Sequence, residues 1–287
     1  GHCLNRISAN NVDGASGEIT YTQWLNVQGK LEADLTVTKL ADDRFFVVVT
    51  DTMVRHAETW MKRNIPDGAH AFVTDVTSGY GQLNVQGPRS RDVLQSLTSV
   101  DLSNAAFPFM ACGNVMLRNG EPARLFRISF SGELAYEIAV PGHRGDTLIR
   151  TLHDAGQDLG VVPYGREALN VLRVEKGHVV GSELNGQTTA HDLGFGRMLS
   201  TQKDFIGSVL GRRANLIDPS RPRLVGIKTV DRSAKLAGGM HFIPQQAARR
   251  IEHDQGHVTS VCYSPALEQW IGLGLLFGVW VALRLGG

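Results

Sequence analysis

Cysteine is scarce in this 287-residue chain, with only Cys3, Cys112 and Cys262 and no C-x-x-C spacing among them. That pattern excludes a four-thiolate zinc site. The odd count argues against a disulfide framework, so a reducing, cytoplasmic setting is expected. An excess of one charge sign is also missing: 29 Lys and Arg face 28 Asp and Glu, for a formal charge of +1. No global field draws the chain to nucleic acid or to an anionic membrane, so neither is an expected partner. Charged residues make up only 20% and hydrophobic ones 42%, which excludes intrinsic disorder and suits about two folded domains.

Long apolar runs are absent as well. The uncharged stretch Trp270–Leu283 is 14 residues long, short of the roughly 20 a spanning helix needs. It reads as a buried strand followed by an aberrant tail, 277–287, in preference to a membrane anchor. The chain opens Gly-His-Cys-Leu with no methionine, basic n-region or apolar h-region, so a signal peptide is not expected. Several chemistries lack their motifs. No G-x-G-x-x-G follows a strand; Gly272 and Gly274 come closest, but Phe277 occupies the third glycine position. There is no phosphate-binding G-x-x-x-x-G-K-[ST] and no G-x-S-x-G nucleophile elbow. His253 and His257 sit four apart as metal ligands can, but Asp254-Gln255-Gly256 between them reads as a turn, so no metal is expected.

What is present is an interleaving of short strands and helices. Glu18–Leu25, Asp34–Leu40, Phe72–Thr77, Gly81–Val85, Asn114–Arg118, Ala123–Ser129 and Tyr136–Val140 are strand-like. Arg44–Thr50 is expected to be a buried strand, and Asp51 to cap a helix through Lys62 with Met53, Ala57 and Met61 on one face. Pro88–Leu97, Gly145–Ala155 and Gly165–Lys176 read as helices, and Leu224–Val230 and Gly256–Tyr263 as strands. Mixed elements followed by a strand-rich end predict an α+β protein, with a boundary near Asp218–Pro222.

Four polar segments stand where elements end. Glu32 and Asp34, just after the Gly29 turn, share a strand face, either as a solvated edge pair or as working carboxylates. In Ile128–Glu137, strand alternation puts Tyr136 and Glu137 on opposite faces, and an inward Glu137 needs a partner. Arg173, four residues after Leu169 on a helix face, is either a surface arginine or the planar fork that holds a carboxylate. Gly256–Pro265, a strand leading into a Ser-Pro turn, reads as structural.

Together these residues carry a resemblance. DLTV (34–37), NVQGPRSRDVL (84–94), DLSNAAFPF (101–109), SFSGELAYE (129–137), ALNVLRVEKGH (168–178) and GHVTSVCYSP (256–265) resemble the glycine-cleavage T-protein (aminomethyltransferase) superfamily, in that family's order. Glu175–Gly207 is most similar to the folate-binding module of the sarcosine oxidase alpha subunit, and YTQWLN with EADLTVTKL to that of dimethylglycine dehydrogenase. The resemblance runs from about residue 4 to 276 and implies a T-protein folate-binding fold of intertwined mixed α/β subdomains over 1–217. A truncated C-terminal β-barrel domain over 218–287 would follow, with the module's first helix and strand missing before Gly1.

The function implied is tetrahydrofolate-dependent transfer of a methylene carbon, yielding 5,10-methylenetetrahydrofolate, with FAD and NAD on partner domains or subunits. A free-standing glycine cleavage aminomethyltransferase is the alternative; a non-catalytic folate-binding accessory protein would carry a cysteine where His178 stands. By resemblance Asp34 is the catalytic carboxylate and Glu137 the pterin-binding one. Arg173, Tyr136 and Phe130 join the cofactor site, with Phe130 replacing a tyrosine the family usually has. The expected partners are folate, an iminium or aminomethyl donor, and a flavoprotein.

Overall fold

The computed structural model describes residues 1–278. The chain folds into two compact units built from interleaved segments. The first comprises 1–7, 11–22 and 35–166, the second 8–10, 23–34 and the chain from 167 onward.

The first unit contains α1 (His2–Ile7) and parts of two strands, β1 (Ile19–Leu25) and β2 (Leu31–Ala41). β3 (Arg44–Val48) pairs antiparallel with β2, with Thr36 opposite Val48 and Thr38 opposite Phe46. The expected buried strand is thus an edge, half-exposed along its length. Its Phe46 ring earns burial from one side by stacking on Phe126 at 5.7 Å and meeting Tyr80 edge-on at 5.8 Å. Helix α2 (Val54–Arg63) does not start at Asp51. The Asp51 carboxylate accepts from the adjacent Thr52 N–H, and a 3₁₀ turn over Asp51–Met53 intervenes.

No strand forms over Phe72–Thr77. Asp75 Oδ1 accepts from both the backbone N–H and the hydroxyl of Thr77, closing a turn that interrupts the extended run, and Phe72 is left 81% exposed.

The core of this unit lies beneath a four-stranded antiparallel sheet. Its strands are β4 (Tyr80–Gln86), β5 (Cys112–Met116), β6 (Pro122–Phe126) and β7 (Ala135–Pro141), in the order β4-β7-β6-β5. Two helices, α3 (Ser90–Leu97) and α4 (Gly145–Gly156), cover one face. Alternation decides which side chains go there: Tyr136, Ile138 and Val140 of β7 and Leu125 of β6 meet Val93 and Leu94 of α3 and Leu148 and Leu152 of α4. Each such buried aliphatic side chain contributes about 1.5–3 kcal/mol. The residues between them, Glu137 and Ala139, point to the opposite face, where Ala139 and Phe126 pack with Ile19 and Phe46.

The second unit holds α5 (Arg166–Lys176), the short helices α6 (Ser208–Gly211) and α7 (Ala214–Ile217), and an antiparallel sheet. That sheet consists of β8 (Arg223–Lys228), β9 (Gly256–Ser264) and β10 (Gln269–Leu276), in the order β8-β10-β9. β10 is the buried strand expected within Trp270–Leu283. It is central, and a Cβ at Gly274 would stand 2.8 Å from the His257 carbonyl, so only glycine fits there. Residues 279–287, most of the expected aberrant tail, lie outside the described residues. Among the described residues no helix is long and apolar enough to cross a membrane. In the 218–222 segment, Arg221 binds buried Asp192 through two nitrogens, at 3.0 and 2.6 Å.

Candidate functional site

Glu137 sits in the middle of β7, paired in register with Asn84 of β4 on one side and Phe126 of β6 on the other. The alternation that buries Tyr136 in the core sends Glu137 to the far face. One carboxylate oxygen, Oε2, accepts from Gln82 Nε2 at 2.6 Å. The other has no hydrogen-bond partner among the described residues. The side chain is half-buried, and burial pushes its pKa above the usual carboxylate range. Tyr164 lies within its field: burial, then the Glu137 charge, raises the phenol pKa. The Tyr164 hydroxyl donates to Asn84 Oδ1 at 2.7 Å. Gln82, Asn84, Glu137 and Tyr164 therefore form one polar set in the first unit, with a partly desolvated acceptor to spare.

The loop from β6 to β7 carries Phe130, half-buried, and turns at Gly132, where φ is +88°. Ser131 ties that loop to β4 by donating to Gln86 Oε1 at 2.6 Å. Tyr136 has no exposed surface; its hydroxyl accepts from Arg91 Nε at 3.0 Å. It stands across the sheet from Glu137 and offers no surface to a ligand, so it can act only by holding β7 in place.

In the second unit, Asp34 is half-buried and its Oδ1 accepts from Gln23 Nε2 at 2.9 Å. Gln23 is fully buried, and its Oε1 has no hydrogen-bond partner among the described residues. The turn before Asp34 is fixed by Asn26, whose side chain accepts from the N–H groups of Gln28 and Lys30. Gly29 is required there: its φ is +79°, and a Cβ would stand 2.4 Å from the Gly211 nitrogen. Behind Gln23, Ala9 N–H donates to the Gln23 carbonyl, and Lys203 Nζ donates to the neighbouring Ser8 carbonyl. Burial pushes the Lys203 pKa down to about 8.

Arg173 is not a surface arginine. It is 5% exposed, and every guanidinium nitrogen donates inside the second unit: Nε to Asn170 at 2.9 Å, Nη1 to the His178 carbonyl at 3.2 Å and Nη2 to Ser260 Oγ at 3.0 Å. The carboxylate beside it is this chain's own Glu183, 3.8 Å from Nη1 and fully buried. Glu183 in turn accepts from Ser260 Oγ and the Val180 N–H. The strand after Gly256, expected to be purely structural, supplies Ser260 to this node and Ser264 to Glu175.

Sequence reasoning did not single out Gln23, Gln82, Asn84 or Tyr164. Gln82 and Asn84 alternate within an expected strand, which put them on one face, but only the pairing of β4 with β7 places that face beside Glu137.

The chain is thus an α+β protein with a half-desolvated carboxylate left open on a sheet face. Comparison with known proteins places it in a family. The GCVT N-terminal domain matches residues 1–203 and the glycine cleavage T-protein C-terminal barrel domain matches residues 223–283. The chain belongs to the glycine cleavage T-protein (GCVT) family.

Among curated relatives, the sarcosine oxidase subunit alpha of Rhizobium meliloti (strain 1021) is 40% identical over 266 residues, which covers 91% of this chain. The chain spans 27% of that relative's length. The aminomethyltransferase of Thermoanaerobacter sp. (strain X514) is 28% identical over 281 residues, covering 95% of this chain and 72% of the relative. The crystal structure of the glycine cleavage system aminomethyltransferase T from Bartonella henselae shares the fold, with a TM-score of 0.79 at 23% identity over 96% of this chain and 73% of that one.

Proposed function

We propose that the chain is a tetrahydrofolate-dependent methylene-transfer module of a sarcosine- or dimethylglycine-oxidising flavoenzyme. The observation that carries this reading is Glu137, a half-desolvated carboxylate with one oxygen engaged by Gln82 and the other open. A reduced pterin presents a ring N–H beside a 2-amino group, and one carboxylate accepts both. The residues present therefore fit the group. Bound tetrahydrofolate would supply the nitrogen nucleophile that takes up the carbon, yielding 5,10-methylenetetrahydrofolate.

The chain's own residues bind, orient and balance charge. Glu137 accepts the ligand's donor edge, and Gln82 keeps that carboxylate from swinging away. Phe130, on the loop that Ser131 anchors, is the aromatic residue that would stack on the ligand in this reading. Tyr136 holds β7 from the core side. Asp34, steadied by Gln23, supplies a carboxylate able to offset the positive charge of an iminium donor or to accept a proton. Arg173 keeps α5 joined to β9 and to the loop that carries Glu183, and acts on the site only through that framework.

The sarcosine oxidase context rests on the 40% identity to the alpha subunit. In this reading flavin and dinucleotide bind to parts of the enzyme that this chain does not span, and three cysteines without disulfides suit the cytoplasm. A free-standing aminomethyltransferase is the second reading, favoured by the larger share, 72%, of such a relative that the chain covers.

The test is a titration of tetrahydrofolate against the wild-type chain, Glu137→Ala and Asp34→Ala. Saturable binding is expected, weakened tenfold or more in Glu137→Ala, or about 1.4 kcal/mol. Asp34→Ala is expected to bind and to fail in turnover of formaldehyde with tetrahydrofolate. Affinity indifferent to Glu137→Ala contradicts the assignment, and turnover without any flavoprotein favours the second reading.

A further inference from the structure

Asn84 lies directly opposite Glu137 in the register of β4 against β7, so both side chains leave the sheet on one face. In such a pair the Cβ atoms stand about 4.5–5.5 Å apart, within reach of a single ligand edge. The Asn84 amide has a fixed sense. Its Oδ1 accepts from the Tyr164 hydroxyl at 2.7 Å, so the amide oxygen is turned to Tyr164 and Nδ2 away from it. Nδ2 carries two hydrogens and has no acceptor among the described residues. Gln82, the other amide on this face, already spends its Nε2 on Glu137. The face therefore offers an open carboxylate acceptor beside an open amide donor.

Resting on the folate reading above, we propose that Asn84 is a specificity-determining residue: its Nδ2 donates to a ring carbonyl that adjoins the two donors accepted by Glu137. The edge recognised is then donor, donor, acceptor, which is the edge of a 4-oxo pterin. Tyr164 is the positioning residue that keeps the Asn84 oxygen from turning toward the ligand. A ring with an amino group in place of that carbonyl sets N–H against N–H at Asn84 and leaves its donor without a partner. Because its adjoining ring nitrogen carries no hydrogen, it also removes one of the two donors from Glu137. Both changes cost affinity, and only the first belongs to Asn84.

The experiment titrates the full chain with tetrahydrofolate and with a 4-amino (2,4-diamino) folate analogue, comparing wild type, Asn84→Ala, Tyr164→Phe and Glu137→Ala. The wild type is expected to prefer the 4-oxo ligand by roughly tenfold or more. Asn84→Ala is expected to bind tetrahydrofolate roughly tenfold more weakly and to narrow the preference by the same factor, the remainder belonging to Glu137, and Tyr164→Phe to narrow it roughly threefold. Should Asn84→Ala fail to fold, Asn84→Ser, too short to reach the carbonyl, is expected to show the same loss. A wild-type ratio of affinities retained in the Asn84 variants, while Glu137→Ala weakens binding, overturns the role of Asn84 and leaves the folate reading standing. A wild-type chain that binds neither ligand contradicts the folate reading and the Asn84 assignment with it.

Discussion

Two glutamates, one in each unit, show how a carboxylate left partly open differs from one satisfied inside the fold. Glu183 of the second unit has no exposed surface, and its oxygens are taken by Ser260 Oγ and the Val180 N–H with Arg173 alongside. Glu137 of the first unit is half-buried, with one oxygen on Gln82 and the other open. Burying a carboxylate is costly, and the cost is offset only where every oxygen finds a donor. Glu183 meets that condition inside the fold. Glu137 does not, and an incompletely satisfied carboxylate on an accessible face is where a ligand gains most.

The comparison breaks most visibly at Arg173. Arg173→Ala strands Glu183 without its counter-charge, and is expected to destabilise the protein by about 3–5 kcal/mol, measured by urea unfolding. A loss under about 1 kcal/mol would mean that Glu183 does not depend on the arginine. Glu137→Gln is expected to do the reverse, relieving the buried charge and so raising stability modestly above the Glu137 pKa while abolishing acceptance of two donors.

The pH dependence sharpens the contrast, with opposite signs in the two units. Burial raises the folded pKa of Glu137, so its contribution to stability is full below the ordinary carboxylate range, about 4.3. That contribution is lost as pH rises through the raised folded value. Wild type should therefore lose stability relative to Glu137→Gln across that window, read from urea midpoints at stepped pH; parallel curves would count against a desolvated Glu137. Lys203 is shifted down, from 10.5 to about 8, so the native state holds fewer protons than the unfolded chain between those values. Stability should rise with pH across that window, by the smallest of these effects, and Lys203→Met should flatten the rise. A slope unchanged by the substitution would place its cause elsewhere.

Much of the fold was legible in the sequence, because helices α4 and α5 and strands β7 and β9 carry local periodicity that packing then obeys. Phe72–Thr77 misled because its β-rich composition is overridden by a single Asp75–Thr77 turn. On α5 Arg173, four residues after Leu169, is buried together with Val174, because Arg173 finds acceptor partners that hydrophobic spacing does not register. At the site, the alternation of Tyr136 and Glu137 is visible in the sequence. The partners Gln82, Asn84 and Tyr164 are not, because they depend on a sheet order, β4-β7-β6-β5, in which β4 pairs with a strand more than fifty residues away. Gln23 escaped for a similar reason, since its role is visible only when its amide is seen on Asp34.

The most direct test follows the Glu137 carboxyl itself by NMR titration, with and without saturating tetrahydrofolate. In the free protein it should titrate above the ordinary carboxylate range. In the complex two ligand donors stabilise its ionised form, so its midpoint should fall. A bound ligand that leaves the Glu137 titration unmoved would contradict the account.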